Sequence, residues 1–250
     1  MTNHDSSALS DNPPTQALER LLGSHVPLTD GDLVRLRAWF DRPGSLYPPG
    51  GSMARELQSA GALLVVRGWV ARGVVLEDGR RQIIALHLPG DVLSGTVNDD
   101  AELWSLTEGV AADASRFRRE VEAPGALDNG LGQAWAAERV AERERLVHQI
   151  IRLGRLTAYE RTAHLILELH EKQVRIGMAE PGQIALPISQ DLMADLLGLS
   201  AVHMNRTLQQ LRRDGLIAYS PGRVMLPDPR ALSTAARLGA VGEARSAARS

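Results

Sequence analysis

The chain has 250 residues, 44% of them hydrophobic, a net charge of −2 and no cysteine. That length allows one large or two medium domains, each with its own core, and the near-neutral balance confines any nucleic-acid surface to a local patch. The missing cysteine excludes disulfides, thiolate zinc sites, cysteine-ligated iron–sulfur clusters and thiol redox switching.

Residues 1–15 are rich in Ser, Asn, Asp and Pro and read as a disordered lead. That start is polar rather than basic then apolar, and no apolar run approaches the ~18 residues of a membrane helix, so a cytoplasmic protein with no membrane partner is expected. Apolar residues then recur at helical spacing (Leu18, Leu21, Leu22; Leu33, Leu36, Trp39, Phe40), with Thr29 or Asp30 placed to cap the second of two short helices. Short apolar runs follow at 62–66, 69–76, 83–88, 103–106 and 110–112, separated by turn residues such as Asp78-Gly79 and Pro89-Gly90-Asp91. Such runs predict strands, and so many short strands in roughly Ser45 to Phe117 predict a β barrel or jelly roll.

From Leu131 to Leu156 there is no proline, and good helix formers predict one long helix. Leu146, Ile150 and Leu153 stand at i, i+4 and i+7 on it, a stripe that either the chain's own domain or a partner helix would cover. A further helix runs from about Ala158 to Val174, interrupted by Pro181-Gly182. It contains Lys172, the only lysine among 28 basic residues, from which no function is read.

The most informative stretch is 188–217. Ser189 is placed to cap a first helix with Leu192, Leu196 and Met193 inward and a small Ala194; Gly198 permits a turn. Ser200 caps a second helix, where Ala201, Met204, Leu208 and Leu211 define an expected buried face. Its opposite stripe carries Val202, Arg206, Gln209 and Arg213, flanked by His203 and Asn205. Arginine, asparagine and glutamine on one exposed face offer bidentate donors to base edges in a major groove. Next, Leu-Ile-Ala-Tyr-Ser-Pro-Gly-Arg-Val-Met-Leu reads as two short strands turning at 220–222, a wing with Arg223 just past its tip. Between Ser200 and Leu226, Arg206, Arg212, Arg213 and Arg223 stand against Asp214 alone, a local +3 suited to phosphates.

This order of parts resembles the Crp/Fnr superfamily of bacterial regulators. The likeness is carried by the helix-turn-helix stretch, by Gly68-Trp69-Val70-Ala71-Arg72, by Asp78-Gly79-Arg80-Arg81-Gln82-Ile83 and by His87-Leu88-Pro89-Gly90-Asp91. The resemblance implies an α+β fold: a cyclic-nucleotide-binding-like jelly roll over 16–127, a dimerisation helix over 128–157, a winged helix-turn-helix over 158–232 and a tail over 233–250. It implies a homodimer reading palindromic double-stranded DNA, with half-sites about 34 Å apart, and RNA polymerase as a partner where the regulator activates. Val202, His203, Asn205, Arg206 and Gln209 are then the base-reading residues. Ser189, Gln190, Ser200, Arg212, Arg213 and Arg223 are the backbone contacts.

Members that bind cyclic nucleotides carry, after the positions of Gly90 and Asp91, a stretch ending in an arginine for the phosphate. Here residues 90–106 contain Asp91, Asp99, Asp100 and Glu102 but no arginine, lysine or histidine. A phosphate needs a cation or converging donors, so a cyclic nucleotide is not the expected effector. Arg72, Arg80 and Arg81 from neighbouring strands, with His87, Gly90 and Asp91, are the remaining candidates for an effector pocket, although hairpin arginines are more often a solvated face. The iron–sulfur branch needs cysteines. A haem sensor needs an axial ligand, for which His87 is the candidate nearest a pocket, though a lone strand histidine is more often structural. No cofactor is identified. The recognition helix departs from the best-known members too, which carry an acidic residue at the position of Val202 and, in one branch, an arginine at that of Ala201. A different operator is therefore expected. An oxygenase of the cupin type would need a His-x-His pair with a glutamate, whereas the strand region holds His87 alone. No phosphate loop or nucleophile elbow appears elsewhere. The expectation is a regulator rather than an enzyme, its rival being a ligand-free regulator set by its abundance.

Overall fold

The structure, a computed structural model, describes residues 14–95, 101–220 and 222–237. The expected lead lies outside these residues except for Pro14 and Thr15, as do Asp99, Asp100 and the tail beyond 237. Near the start, α1 (Gln16–Gly23) and α2 (Asp30–Ala38) pack Leu18, Leu22 and Leu36 into one core. Of the two cap candidates, Thr29 serves: its hydroxyl accepts from the Asp32 N–H while the Asp32 carboxylate accepts from the Thr29 N–H, a reciprocal capping box.

There follow β1 (Ser45–Tyr47), α3 (Ala54–Ala60), β2 (Ala62–Arg67), β3 (Val70–Val75), β4 (Arg81–His87), β5 (Val92–Ser94), β6 (Glu102–Ser105) and β7 (Gly109–Asp113). They form two antiparallel sheets, ordered β1-β7-β2-β5 and β4-β3-β6. Between β3 and β4, Gly79 adopts φ +83° in the turn that Asp78-Gly79 predicts. Strand β2 is buried on both faces. Leu63 and Val65 meet Val70 and Leu103 between the sheets, whereas Ala62 and Leu64 meet Phe117 and Trp135 of the helical layer. That explains a continuous apolar run rather than an alternating one.

After α4 (Ser115–Val121) and a 3-10 turn at Ala126–Asp128, α5 (Gly130–Arg155) runs for 26 residues, about 39 Å at 1.5 Å per residue. It ends at Leu156, and a second capping box, Thr157 with Glu160, starts α6 (Ala158–Arg175). The C-terminal part holds β8 (Gln183–Ala185), α7 (Gln190–Leu197), α8 (Ala201–Arg213), β9 (Ala218–Ser220), β10 (Arg223–Met225) and α9 (Pro229–Ala236). β8 adds to the predicted wing hairpin, making a sheet ordered β8-β10-β9. α9 begins where Asp228 caps and Pro229 fills the first turn, and it buries Leu232 and Ala236. It therefore carries helix past 232 into the stretch expected to be tail. Among the described residues no helix is long and apolar enough to cross a membrane.

The stripe expected on α5 is divided. Leu146, still 40% exposed, borders the rim of a cavity, and Leu153 lies toward the corner at Gly198. The outward face instead presents Ala136, Val140, Val147, Ile150 and Gly154, with Val140 56%, Val147 48% and Ile150 70% exposed. Together with Arg143 these positions alternate steps of four and three, the spacing of a coiled-coil seam.

Candidate nucleic-acid interface

The corner between α7 and α8 is built by its caps. Ser189 accepts from the Leu192 N–H at 3.1 Å, and Ser200 accepts from the His203 N–H at 3.2 Å. Between them Gly198 sits at φ +63°, the left-handed conformation that ends a helix most readily when no Cβ is present. The last carbonyls of α7 are taken up by other elements: Gln149 of α5 donates to Leu196 O at 2.7 Å, and Arg161 of α6 donates to Leu197 O at 3.0 Å. Gln82 of β4 donates to Asp195 O at 3.1 Å. These bonds satisfy groups that a helix end otherwise leaves orphaned.

Met204, Leu208 and Leu211 of α8 are buried, joined by Thr207, while Ala201, expected inside, is exposed. Ala201 sits in the first turn, ahead of the point where α8 meets its neighbours. Val202, His203, Asn205, Arg206 and Gln209 all lie exposed along one side, and Arg212 and Arg213 follow toward the C-terminus. Among the described residues Arg206, Arg212, Arg213 and Arg223 form no ion pair, so their charge faces solvent. Arg223 pairs in register with Ser220 beside the wing tip. Asn205 donates to Gln190 Oε1 at 2.9 Å, which ties an expected base reader to an expected backbone contact across the corner. Tyr159 donates to Asp214 at 2.6 Å and anchors the end of α8 to the start of α6; burial and then Asp214 push the phenol up to about 12.

Behind this surface lies a cavity of about 70 Å³ between β4, α5, α6 and the end of α7. Of the six expected effector residues, His87, Gly90 and Asp91 line it. Arg80 and Arg81 do not: Arg80 pairs with Asp78 in the hairpin, and Arg81 pairs with Asp195 of α7 at 2.8 Å. Arg72 is half-buried on β3, donates to Ser94 O at 3.4 Å and is not among the residues lining the cavity. The cations that do line it are Arg145, Arg152 and Lys172, all from helices, against the carboxylates Asp91, Glu138, Glu142 and Glu168.

Sequence reasoning missed the central pair. Lys172 of α6 donates to Asp91, both almost fully buried, and Asp91 also accepts from the Leu88 N–H at 2.9 Å. Burial alone would raise the Asp91 pKa, but the Lys172 ammonium, then His87, hold its carboxyl well below the usual carboxylate range. The available signal was the lone lysine in an arginine-rich chain. The His87 Nδ1 lies 3.7 Å from Asp91, and among the described residues its buried Nε2 has no hydrogen-bond partner, nor do Nε and Nη1 of Arg152. Deeper, burial and then Arg152 lower His164 to about 4, so its ring is neutral at physiological pH. Burial alone would raise Glu168, yet His148 and Arg152 bring it to about 2.

Residues 160–235 match the Crp-like helix-turn-helix domain family. The nitrogen fixation regulation protein FixK of Azorhizobium caulinodans is 33% identical over 171 residues, 68% of each chain. The transcriptional activator protein FnrL of Cereibacter sphaeroides is 30% identical over 64% of this chain and 65% of its own. Among solved structures, FixK2 from Bradyrhizobium japonicum covers 76% of this chain and 95% of its own at 25% identity, with a TM-score of 0.61. A CRP/FNR-family transcriptional regulator from Thermus thermophilus has a TM-score of 0.54 at 20% identity, over 77% of this chain and 97% of its own, a likeness of fold.

Proposed function

Because the chain belongs to the Crp/Fnr superfamily of DNA-binding transcription regulators, we propose that it acts as a homodimer on a palindromic operator, with α8 in the major groove and the wing on the phosphates. The observation that carries this is the outer face of α8, where arginine, asparagine, glutamine and valine stand exposed with no ion pair to Arg206. The dimer is supported by the exposed seam of α5, whose four-three spacing suits a second copy of the same helix. Arg206 reads guanine, Asn205 reads adenine once released from Gln190, and Val202 contacts a thymine methyl, each good bidentate contact contributing about 1–3 kcal/mol of discrimination.

The effector is not a cyclic nucleotide. No arginine, lysine or histidine occurs in 90–106, and the cations lining the cavity are outnumbered by carboxylates. The small cavity favours a second reading, a regulator set by its abundance with no organic effector: about 70 Å³ is well below the ~300–1,000 Å³ of small-molecule sites.

Selection from random DNA, comparing wild type with Arg206→Ala at two salt concentrations, tests the operator reading. The expected result is a palindrome with half-sites about one turn (34 Å) apart and, in the variant, lost preference at one symmetric position. Enrichment of no sequence by wild type, or an unchanged preference in the variant, overturns it.

A further inference from the structure

Where α5 crosses α6, beside the cavity, three metal-ligating side chains converge from the two helices. His164 and Glu168 stand one turn apart on α6, which sets them on the same side of the helix, and His148 comes from α5 opposite. Their ligand atoms, one from each residue, all lie within 4.8 Å of one another. The His148 Nδ1 is 3.9 Å from Glu168 Oε2, and the two imidazoles meet edge to face with centroids 5.3 Å apart. A separate observation points the same way. His164 is more than nine-tenths buried, and its Nδ1 has no hydrogen-bond partner among the described residues. A buried ring nitrogen left unpaired is destabilising, and a bound cation relieves it.

We propose that His148, His164 and Glu168 form a site for a first-row divalent transition cation, zinc foremost, with water completing the shell. Two imidazoles and one carboxylate are the donor set of open three-ligand sites, too nitrogen-rich for magnesium or calcium. With bonds of about 2.0–2.2 Å, ligand atoms around a tetrahedral ion sit roughly 3.4 Å apart, so side-chain rotations closing at most about 1.5 Å assemble the shell. Arg152 is the group that opposes a cation here. Its guanidinium already holds both oxygens of Glu168, at 3.1 and 3.2 Å, and when one oxygen turns to the ion the other keeps the arginine as an orienting outer partner.

An ion so placed joins α5 to α6 across the joint at Leu156 and Thr157, fixing the helix-turn-helix domain relative to the dimer seam. That consequence rests on the regulator reading, whereas metal binding does not. The test is titration of the untagged, chelator-treated full-length chain with zinc by calorimetry, and with cobalt followed by its ligand-field absorption, in the absence of DNA. One equivalent per chain is expected in the micromolar range. His148→Ala should weaken it at least about tenfold, and Glu168→Gln likewise, while His25→Gln leaves it unchanged. The half-exposed His148 makes its variant the primary one, with the urea midpoint checking that it folds. Absence of saturable binding, or equal binding by a folded His148→Ala, overturns the site. Failure of operator selection with zinc still bound would fault the regulator reading alone.

Discussion

Lys172→Met removes the cation from the buried pair that joins α6 to the loop before β5. Lys172 is 7% and Asp91 6% exposed, so water screens neither group appreciably. In the variant Asp91 keeps the Leu88 N–H and His87 as partners, but its charge is uncompensated in a low-dielectric site. Breaking a buried pair from one side costs about 3–5 kcal/mol, much of it the penalty of the stranded charge. The sign of the pH dependence follows from the depressed pKa of Asp91. Its contribution is present above the unfolded carboxylate value near 3.8 and is lost as pH falls through the lower folded value. The stranded carboxylate in the variant is pushed up by burial and takes a proton sooner than the wild-type one, so the gap is widest near neutrality and narrows as pH falls into the acid range. In Lys172→Met together with Asp91→Asn most of the loss returns, because no charge is left stranded. Urea unfolding followed by tryptophan fluorescence, at fixed protein concentration and several pH values, measures all three. Trp135 lines the same cavity and reports on it. A loss under about 1 kcal/mol at pH 7, or a gap that does not change with pH, would refute the reading of the pair as a buried clamp between α6 and the loop before β5.

Three further outcomes are expected. Ile150→Glu places a charge on the most exposed large apolar side chain of the α5 face; on the proposed dimer, sedimentation should show wild type as a dimer and the variant as a monomer at the same concentration, with the fold intact by circular dichroism. Arg213→Ala should weaken DNA binding about equally for all sequences and lower the slope of log affinity against log salt by about one, in contrast to the positional effect of Arg206→Ala. Gly198→Ala should destabilise by about 1–2 kcal/mol in thermal unfolding, since φ +63° strains a side chain and the new Cβ would lie 3.3 Å from Leu153.

Local rules carried much of this protein. Caps at Thr29, Ser189 and Ser200, the turn at Asp78-Gly79, the glycine corner at 198 and the helical period of 201–213 are decided within a few residues of chain. The helix-turn-helix, most of the longer strands and α5 were therefore legible. Strands β1, β5 and β8 were not, because three residues carry no period of their own and, unlike β9 and β10 with the Ser-Pro-Gly turn between them, they are not joined to their sheet partners by a short turn. The same limit applies to faces. The period of α5 is visible in the chain, but which side meets the body and which meets solvent depends on what packs there, so Leu153 turned toward the corner at Gly198 while Leu146, Val140, Val147 and Ile150 stayed exposed to solvent. Residue type left Arg80 and Arg81 as candidates for a pocket while favouring a solvated hairpin face, and in the fold they pair with the nearby carboxylates of Asp78 and Asp195. Lys172 and Asp91 are 81 residues apart, and His148 meets its partners from another helix. Such meetings of charge and ligand have no local signature, because they arise from packing that no short stretch of sequence encodes.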